Sequence, residues 1–145
     1  LHPMNSAQLS IPYALAADLV FGNAQLASYA RTRRNDPRVA VAMAKVRMTV
    51  DDTQKDDDEP IVRVTLADGR VFEERVPMPL GSPVNPVSDE ALLKKFRSVS
   101  EMVLPAETVE TLAERLMHLR EVEDVARDVM ALLAVEPVTH ATFDV

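Results

Sequence analysis

Four polar residues stand immediately before a long apolar run, and their side chains are the first candidates for ligand binding. The run covers residues 11–21 and has the apolar spacing of a helix. Free backbone N–H groups and the helix dipole favour an anion at a helix N-terminus, so polar side chains there could hold a carboxylate. Ser10 could equally act only as the helix cap. The four residues are Asn5, Ser6, Gln8 and Ser10.

A second polar stretch lies in residues 77–87, which contain four prolines and are therefore predicted to be a loop. Residues 80–88 and residues 5–10 could line one edge of a cleft. Lys94 and Lys95 follow on a predicted helix, where either ammonium could reach a carboxylate ligand. A lysine in such a position usually belongs to a solvated face. These residues form no complete catalytic set on their own.

The other residue types that carry chemistry are few. His2, His118 and His140 show no metal-binding spacing, and His118 is predicted to be a surface or boundary residue. The acidic residues 56–59 lack the glycine and distal glutamate of a calcium loop. The absence of cysteine excludes disulfides, thiol catalysis and thiolate metal sites. The chain also lacks a glycine-rich phosphate loop and a nucleophile elbow.

Length and charge limit the class of protein. The 145 residues correspond to one ordinary domain, and 47% hydrophobic residues are enough for a real core. The net charge of -7 argues against nucleic acid or an anionic membrane surface as a partner. No apolar run reaches membrane-spanning length. Because the chain opens with Leu1 and not with Met, we expect a piece excised from a longer protein.

The apolar run predicts the central helix of the fold. Ile11, Leu15 and Leu19 recur four residues apart and so lie on one face of this helix. Ala14, Ala16 and Ala17 fill much of the remainder with small side chains, which would let other elements approach closely. Since the helix is apolar nearly all round, we expect it to be buried. Its start is open between a cap at Ser6 and a later start near Ile11, with Pro12 in the first turn.

Capping residues divide the next part of the chain. Gly22 is predicted to end the central helix in a left-handed conformation. Residues 23–34 predict a second helix that ends in a basic cluster, Arg31, Arg33 and Arg34. Asp36 then caps a third helix, in which Pro37 takes the first position.

Three alternating runs predict strands over residues 46–50, 61–66 and 71–76. The sequence Asp68-Gly69 marks a hairpin turn between the last two. We therefore predict an antiparallel meander with one solvated face. The loop over residues 51–59 is charged and predicted to be solvated.

Three helices are predicted after the proline-rich loop. Ser88 caps the first, over residues 89–103, Pro105 begins the second, over residues 105–119, and residues 124–133 form the third. The predicted fold is α+β: a three- to four-stranded antiparallel meander packed with helices, with a buried N-terminal helix and C-terminal helices. The inward residues are Leu92, Phe96, Val99 and Val103 in the first of these helices, and Val109, Leu112, Leu116 and Leu119 in the second.

Two stretches resemble the MmgE/PrpD family, the 2-methylcitrate dehydratase-like enzymes. Residues 7–14 (AQLSIPYA) are similar to the family's AQFSxxYxxA segment. Residues 81–90 (GSPVNPVSDE), followed by residues 95–97 (KFR), are similar to its GxPxNPLSDEEL and KF segments. Between these stretches, residues 36–39, 44–46 and 66–70 fall in the family's order.

The resemblance implies that residues 1–145 are the smaller α+β lid domain of a two-domain enzyme, without the helical domain that carries most acid and base residues. Family members include 2-methylcitrate dehydratase of propionate metabolism, cis-aconitate decarboxylase and an epimerase. They act on small polycarboxylic acids in a cleft between the two domains, need no cofactor and are homodimers. The resemblance therefore implies a cytoplasmic protein whose partners are a small polycarboxylate, a helical domain and a second subunit, with no metal, nucleic acid or membrane.

The resemblance also suggests binding residues. Gln8 and Ser10 are expected to donate hydrogen bonds to a substrate carboxylate. The decarboxylase branch has a histidine at the position of Leu9, so decarboxylation of that type is not expected here. Lys95 matches the family's Lys-Phe pair. The expected substrate-binding residues are Gln8, Ser10, Ser82, Asn85 and Lys95, and no catalytic residue is expected in this chain.

The function implied is that of a domain that closes the cleft of a dehydratase-like lyase or isomerase acting on a di- or tricarboxylic acid. The isolated domain is expected to be inactive. The alternative is a non-catalytic ligand-binding or oligomerisation module of the same fold.

Overall fold

The computed structural model describes residues 3–53, 55, 59–136 and 138. The chain divides into two compact units. The first contains residues 1–48 and 93–145, and the second contains residues 49–92. Within the described residues, no helix is both long enough and apolar enough to span a membrane.

The first unit begins with two helices, α1 (Met4–Gln8) and α2 (Ile11–Phe21). Ser10 caps α2, and Pro12 occupies its first turn, where a missing N–H costs nothing. Of the two predicted starts, the later one is therefore correct. Gly22 ends α2 with φ of 74°, the left-handed conformation expected of it.

The prediction that α2 is buried nearly all round is wrong, whereas the expected close approach at its alanines is confirmed for Ala16 and Ala17. Tyr13 and the two adjacent alanines, Ala16 and Ala17, are buried and pack against α4 (Pro37–Met43). In contrast, Ile11 is 52% exposed and Leu19 is 68% exposed. Because α2 is apolar on every side, its sequence pattern does not distinguish the two faces. The short alanine side chains allow α4 to approach closely, and this packing determines which face is covered.

Tyr13 links α2 to the segment that follows it. Its hydroxyl donates a hydrogen bond of 2.7 Å to the Ser28 carbonyl, and its ring lies 5.3 Å from the ring of Tyr29. Burial, helped by the neighbouring Tyr29, raises the pKa of Tyr13 above its ordinary value. The hydroxyl therefore stays protonated and remains a donor at neutral pH.

Residues 23–34 do not form the single helix predicted. They form a 3₁₀ turn (Leu26–Tyr29) and the short helix α3 (Arg31–Arg34), which carries the basic cluster. The Arg33 guanidinium lies 4.3 Å from the centre of the Phe21 ring. The predicted cap of α4 is confirmed, since the Asp36 carboxylate accepts a hydrogen bond from the Arg38 N–H.

The C-terminal helices of the structure are α5 (Asp89–Ser100), α6 (Ala106–Met117) and α7 (Val125–Asp128), with 3₁₀ turns at Leu119–Glu121 and Met130–Leu133. The predicted cap at Ser88 is confirmed, because its Oγ accepts from the Ala91 N–H. Val109 and Leu112 are buried as predicted. Five residues predicted to face inward are instead exposed: Leu92, Val99, Val103, Leu116 and Leu119.

The sheet of the second unit has two antiparallel strands, β1 (Ile61–Thr65) and β2 (Val71–Arg75). Gly69, with φ of 87°, makes the predicted turn between them. The α+β class is confirmed, but the three- to four-stranded meander is not, because residues 46–50 form no strand. Both faces of the hairpin are exposed, so the prediction of one buried face is wrong. An alternating pattern of apolar and polar residues allows a segment to form a strand. It does not provide a neighbouring strand with which that segment could pair.

Candidate functional site

The first candidate binding residues lie where α1 meets α2. Gln8 is the last residue of α1 and its side chain is exposed, whereas Ser10 is half-buried. The turn between the helices is held by hydrogen bonds from the Leu9 N–H to the Asn5 carbonyl and from the Ser10 N–H to the Ala7 carbonyl. Leu9, between the two polar residues, is 88% exposed. The junction therefore presents an amide, an apolar side chain and a hydroxyl in succession.

The N-terminus of α2 offers an anion less than the sequence suggests. The Tyr13 N–H donates to Ser10 Oγ at 3.2 Å, and the Ala14 N–H donates to the Ser10 carbonyl at 3.0 Å. Pro12 has no N–H. In this first turn, which the structure describes in full, only the Ile11 N–H is left to point outward. An anion site at a helix N-terminus normally uses several such donors, so side chains would have to supply most of the binding here.

Ser10 can nevertheless act both as a cap and as a ligand. A hydroxyl has one donor and two acceptor positions. Ser10 Oγ uses one acceptor position for the Tyr13 N–H, and its own hydrogen is still available for a carboxylate. The two interpretations of Ser10, as a helix cap and as a ligand-binding residue, are therefore compatible.

Ser82 and Asn85 lie together in the loop of the second unit. Their backbones form an isolated antiparallel bridge, and the Asn85 side-chain amide donates to the Met78 carbonyl at 3.0 Å. Ser82 Oγ is buried without a hydrogen-bond partner among the described residues. Both residues thus shape the loop, and their expected role in substrate binding stays a prediction.

Gly81 makes this loop possible, because its φ of 99° is a conformation that side chains disfavour. Its N–H donates to the Asn85 carbonyl at 2.8 Å. We expect Gly81→Ala to destabilise the loop by roughly 1–2 kcal/mol. Amide hydrogen exchange at residues 81 and 85 should then accelerate about tenfold, measured by NMR. Gly69→Ala, in the hairpin turn of the same unit, is the control and should leave both rates unchanged. Unaltered exchange in Gly81→Ala would contradict this account of the loop.

Lys95 lies on the exposed side of α5, in the first unit. Within the described residues its ammonium makes no ion pair, and no hydrogen bond joins it to Gln8 or Ser10. Within the first unit the structure places Gln8 next to Ser10 at the α1–α2 junction, and within the second unit it pairs Ser82 with Asn85.

The sequence reasoning missed an open groove of about 570 Å³ between α5 and α6. Arg97 crosses it and donates to both carboxylate oxygens of Glu110, at 2.6 and 2.8 Å. This pairing lowers the pKa of Glu110. His118 at one end is exposed, as predicted, and its Nδ1 lies 3.5 Å from Glu121 Oε1. The sequence shows that both helices are amphipathic, but it does not show how they lie relative to each other.

Metal binding receives no support from the part of the chain that the structure describes, where no three His, Asp or Glu side chains are grouped. His2, His140 and residues 56–58 lie outside the described residues.

Comparison with known proteins identifies the family. The model of the MmgE/PrpD C-terminal domain matches residues 2–119. The chain belongs to the MmgE/PrpD family. The family resemblance seen in the sequence is thus confirmed, and the matched region includes all five expected binding residues.

Two curated relatives of this MmgE/PrpD chain are cis-aconitate decarboxylases. The Mus musculus enzyme is 28% identical over 123 residues, which cover 83% of this chain and 25% of the relative. The Homo sapiens enzyme is also 28% identical over 123 residues, covering 83% of this chain and 26% of the relative. The chain thus spans about a quarter of the length of these relatives.

Proposed function

We propose that this MmgE/PrpD C-terminal domain is the substrate-closing domain of a dehydratase-like lyase or isomerase that acts on a small di- or tricarboxylic acid. In this role it contacts substrate carboxylates and excludes water, while acid and base groups on a helical domain move the protons. The expected homodimer and the absence of a cofactor belong to the same proposal.

The observation that carries the proposal is the pair of donors at the α1–α2 junction. Gln8 has an exposed amide, and Ser10 keeps a free hydroxyl hydrogen while it caps α2. Both groups can donate a hydrogen bond to a carboxylate oxygen. Both residues lie in the region that matches the family.

Leu9 favours dehydration or isomerisation over decarboxylation. The relatives are named for the decarboxylation of cis-aconitate. The resemblance places a histidine of the decarboxylase branch at the position of Leu9, which has no titratable group. We therefore expect proton transfer at this position to be absent in the complete enzyme.

Ser10 variants separate ligand binding from capping. We expect Ser10→Asp to keep the cap, since aspartate accepts from a helix N–H as well as serine does. It loses the hydroxyl donor and adds a charge that repels carboxylates, so its Kd for citrate or cis-aconitate should rise at least about tenfold, equivalent to ~1.4 kcal/mol. NMR titration of the chain measures the Kd from chemical-shift changes at residues 8 and 10. Thermal unfolding measures stability and so shows whether the helix cap is kept.

Ser10→Ala is the matched control, because it removes both the donor and the cap. It should weaken binding similarly and also lower stability by about 1 kcal/mol. Acetate should give much smaller shifts than citrate with the wild-type chain. If Ser10→Asp binds citrate as tightly as wild type does, or if wild type shows no shifts at residues 5–10 or 81–88, Ser10 is only a cap. The alternative of a non-catalytic module would then be preferred.

A further inference from the structure

We propose that the outer face of α2, formed by Ile11, Leu15 and Leu19, is the docking surface for the N-terminal domain of the MmgE/PrpD family. This inference rests on the proposed function, in which the chain works as one part of a two-domain enzyme. It assigns the partner to one face of one helix, and that assignment can be tested without any substrate.

The outer face is apolar and poorly covered. Ile11 and Leu19 are exposed by about half and two thirds, and Leu15 between them is only half-buried. The three side chains recur at every fourth residue, so they form one stripe along the helix. Asp18 is the only charged residue of α2. Scattered apolar residues are ordinary on a surface, but a continuous stripe marks an interaction site.

The packing inside the first unit does not use this stripe. The opposite face of α2 already packs on α4, through Tyr13, Ala16 and Ala17. No rotation of the helix could bury the outer stripe without exposing Tyr13, whose hydroxyl is bonded to the Ser28 carbonyl. The hydrophobic cluster between α2 and α4 therefore does not include the stripe.

The comparisons indicate what covers it. The matching family model is that of a C-terminal domain, so proteins of the family have a further domain before it. The chain corresponds to only 25% and 26% of the two relatives, which leaves about three quarters of each without a counterpart. An N-terminal domain is thus the partner that these comparisons favour.

A second copy of this chain is the less suitable partner. Two stripes packed on each other would use three side chains from each copy, on a helix about 16 Å long. A stable interface between separate chains uses roughly 20–30 residues from each. The net charge of -7 also opposes self-association. A domain within the same polypeptide needs a much smaller interface, because its effective concentration is high.

Docking on this stripe would also position the proposed binding residues. Ser10 directly precedes Ile11, the first residue of the stripe, and Gln8 lies on the adjacent turn. A domain seated on the outer face of α2 would therefore end close to both donors. The substrate would then lie at the boundary between the two domains.

The absence of cysteine makes thiol labelling a direct test. Leu19→Cys is introduced into the 145-residue chain and into the full gene product that contains it, and alkylation of that peptide is followed by mass spectrometry. We expect labelling in the full product to be at least about tenfold slower. Leu119→Cys, at an exposed position after α6, is the control and should react equally in both.

Four results would overturn the proposal. The first is equal labelling of Leu19→Cys in both proteins, and the second is a gene product without an N-terminal domain. The third is concentration-dependent protection in the 145-residue chain, which would make the stripe an interface between copies. Equal protection of Leu19→Cys and Leu119→Cys would also refute the assignment to α2. Because no ligand is used, failure here is distinguishable from failure of carboxylate binding at Ser10.

Discussion

Tyr13→Ala is expected to lower the free energy of unfolding by about 3–5 kcal/mol, the range for removing a buried aromatic side chain. Tyr13 is 1% exposed, and its ring packs on Tyr29 inside the cluster that joins α2 to α4. The substitution also leaves the Ser28 carbonyl without its donor. Since domains of this size are stable by only about 5–15 kcal/mol, much of the folded population should be lost at moderate temperature. Urea unfolding followed by circular dichroism measures the loss.

Tyr13→Phe separates the hydrogen bond from the packing. It keeps the ring and removes only the hydroxyl, so the expected loss is about 1–3 kcal/mol for one buried acceptor left unsatisfied. A Tyr13→Phe variant as unstable as Tyr13→Ala would assign the whole effect to the hydroxyl. A Tyr13→Ala variant within 1 kcal/mol of wild type would show that the packing around Tyr13 is wrong.

Ala17→Leu is the second large effect, and it tests which face of α2 is buried. Ala17 has no exposed surface, and it belongs to the close contact between α2 and α4. A leucine there must displace its neighbours, which costs typically about 1–3 kcal/mol. The measurement is again urea unfolding, with the m-value checked for a change in compactness.

The control for this prediction is Ala14→Leu, the same change on the same helix at a half-buried position. It adds equal volume and equal helix propensity but has access to solvent, so its effect should be smaller. If Ala14→Leu were the more harmful of the two, the packing of α2 on α4 described above would be wrong. The docking proposal would then fail with it.

The candidate site could be predicted only in part. The motif around Gln8 and Ser10 correctly identified the family and a helix N-terminus. The sequence suggested a broad anion site there, but Ser10 and the proline at position 12 leave few backbone donors free. That limitation depends on where the helix begins, which the sequence left open between two residues. The pairing of Ser82 with Asn85 depends on the loop around Gly81 and was not predicted.

The sequence by itself determined the features that depend on neighbouring residues. Asp36 and Ser88 cap helices, Gly22 ends one, and the Asp68-Gly69 turn joins two strands, all as predicted. Each of these depends on the backbone preference or hydrogen bonding of a few adjacent residues, so no distant contact is needed to form it.

Only the tertiary structure decided which apolar surfaces are covered. In α2, Ile11 and Leu19 are exposed and Ala16 and Ala17 are buried, because α4 packs closely on small side chains. In the hairpin, alternating valines are exposed because no further strand or layer covers them within their unit. An apolar pattern indicates that a surface can be buried. Whether it is buried depends on whether another element packs against it.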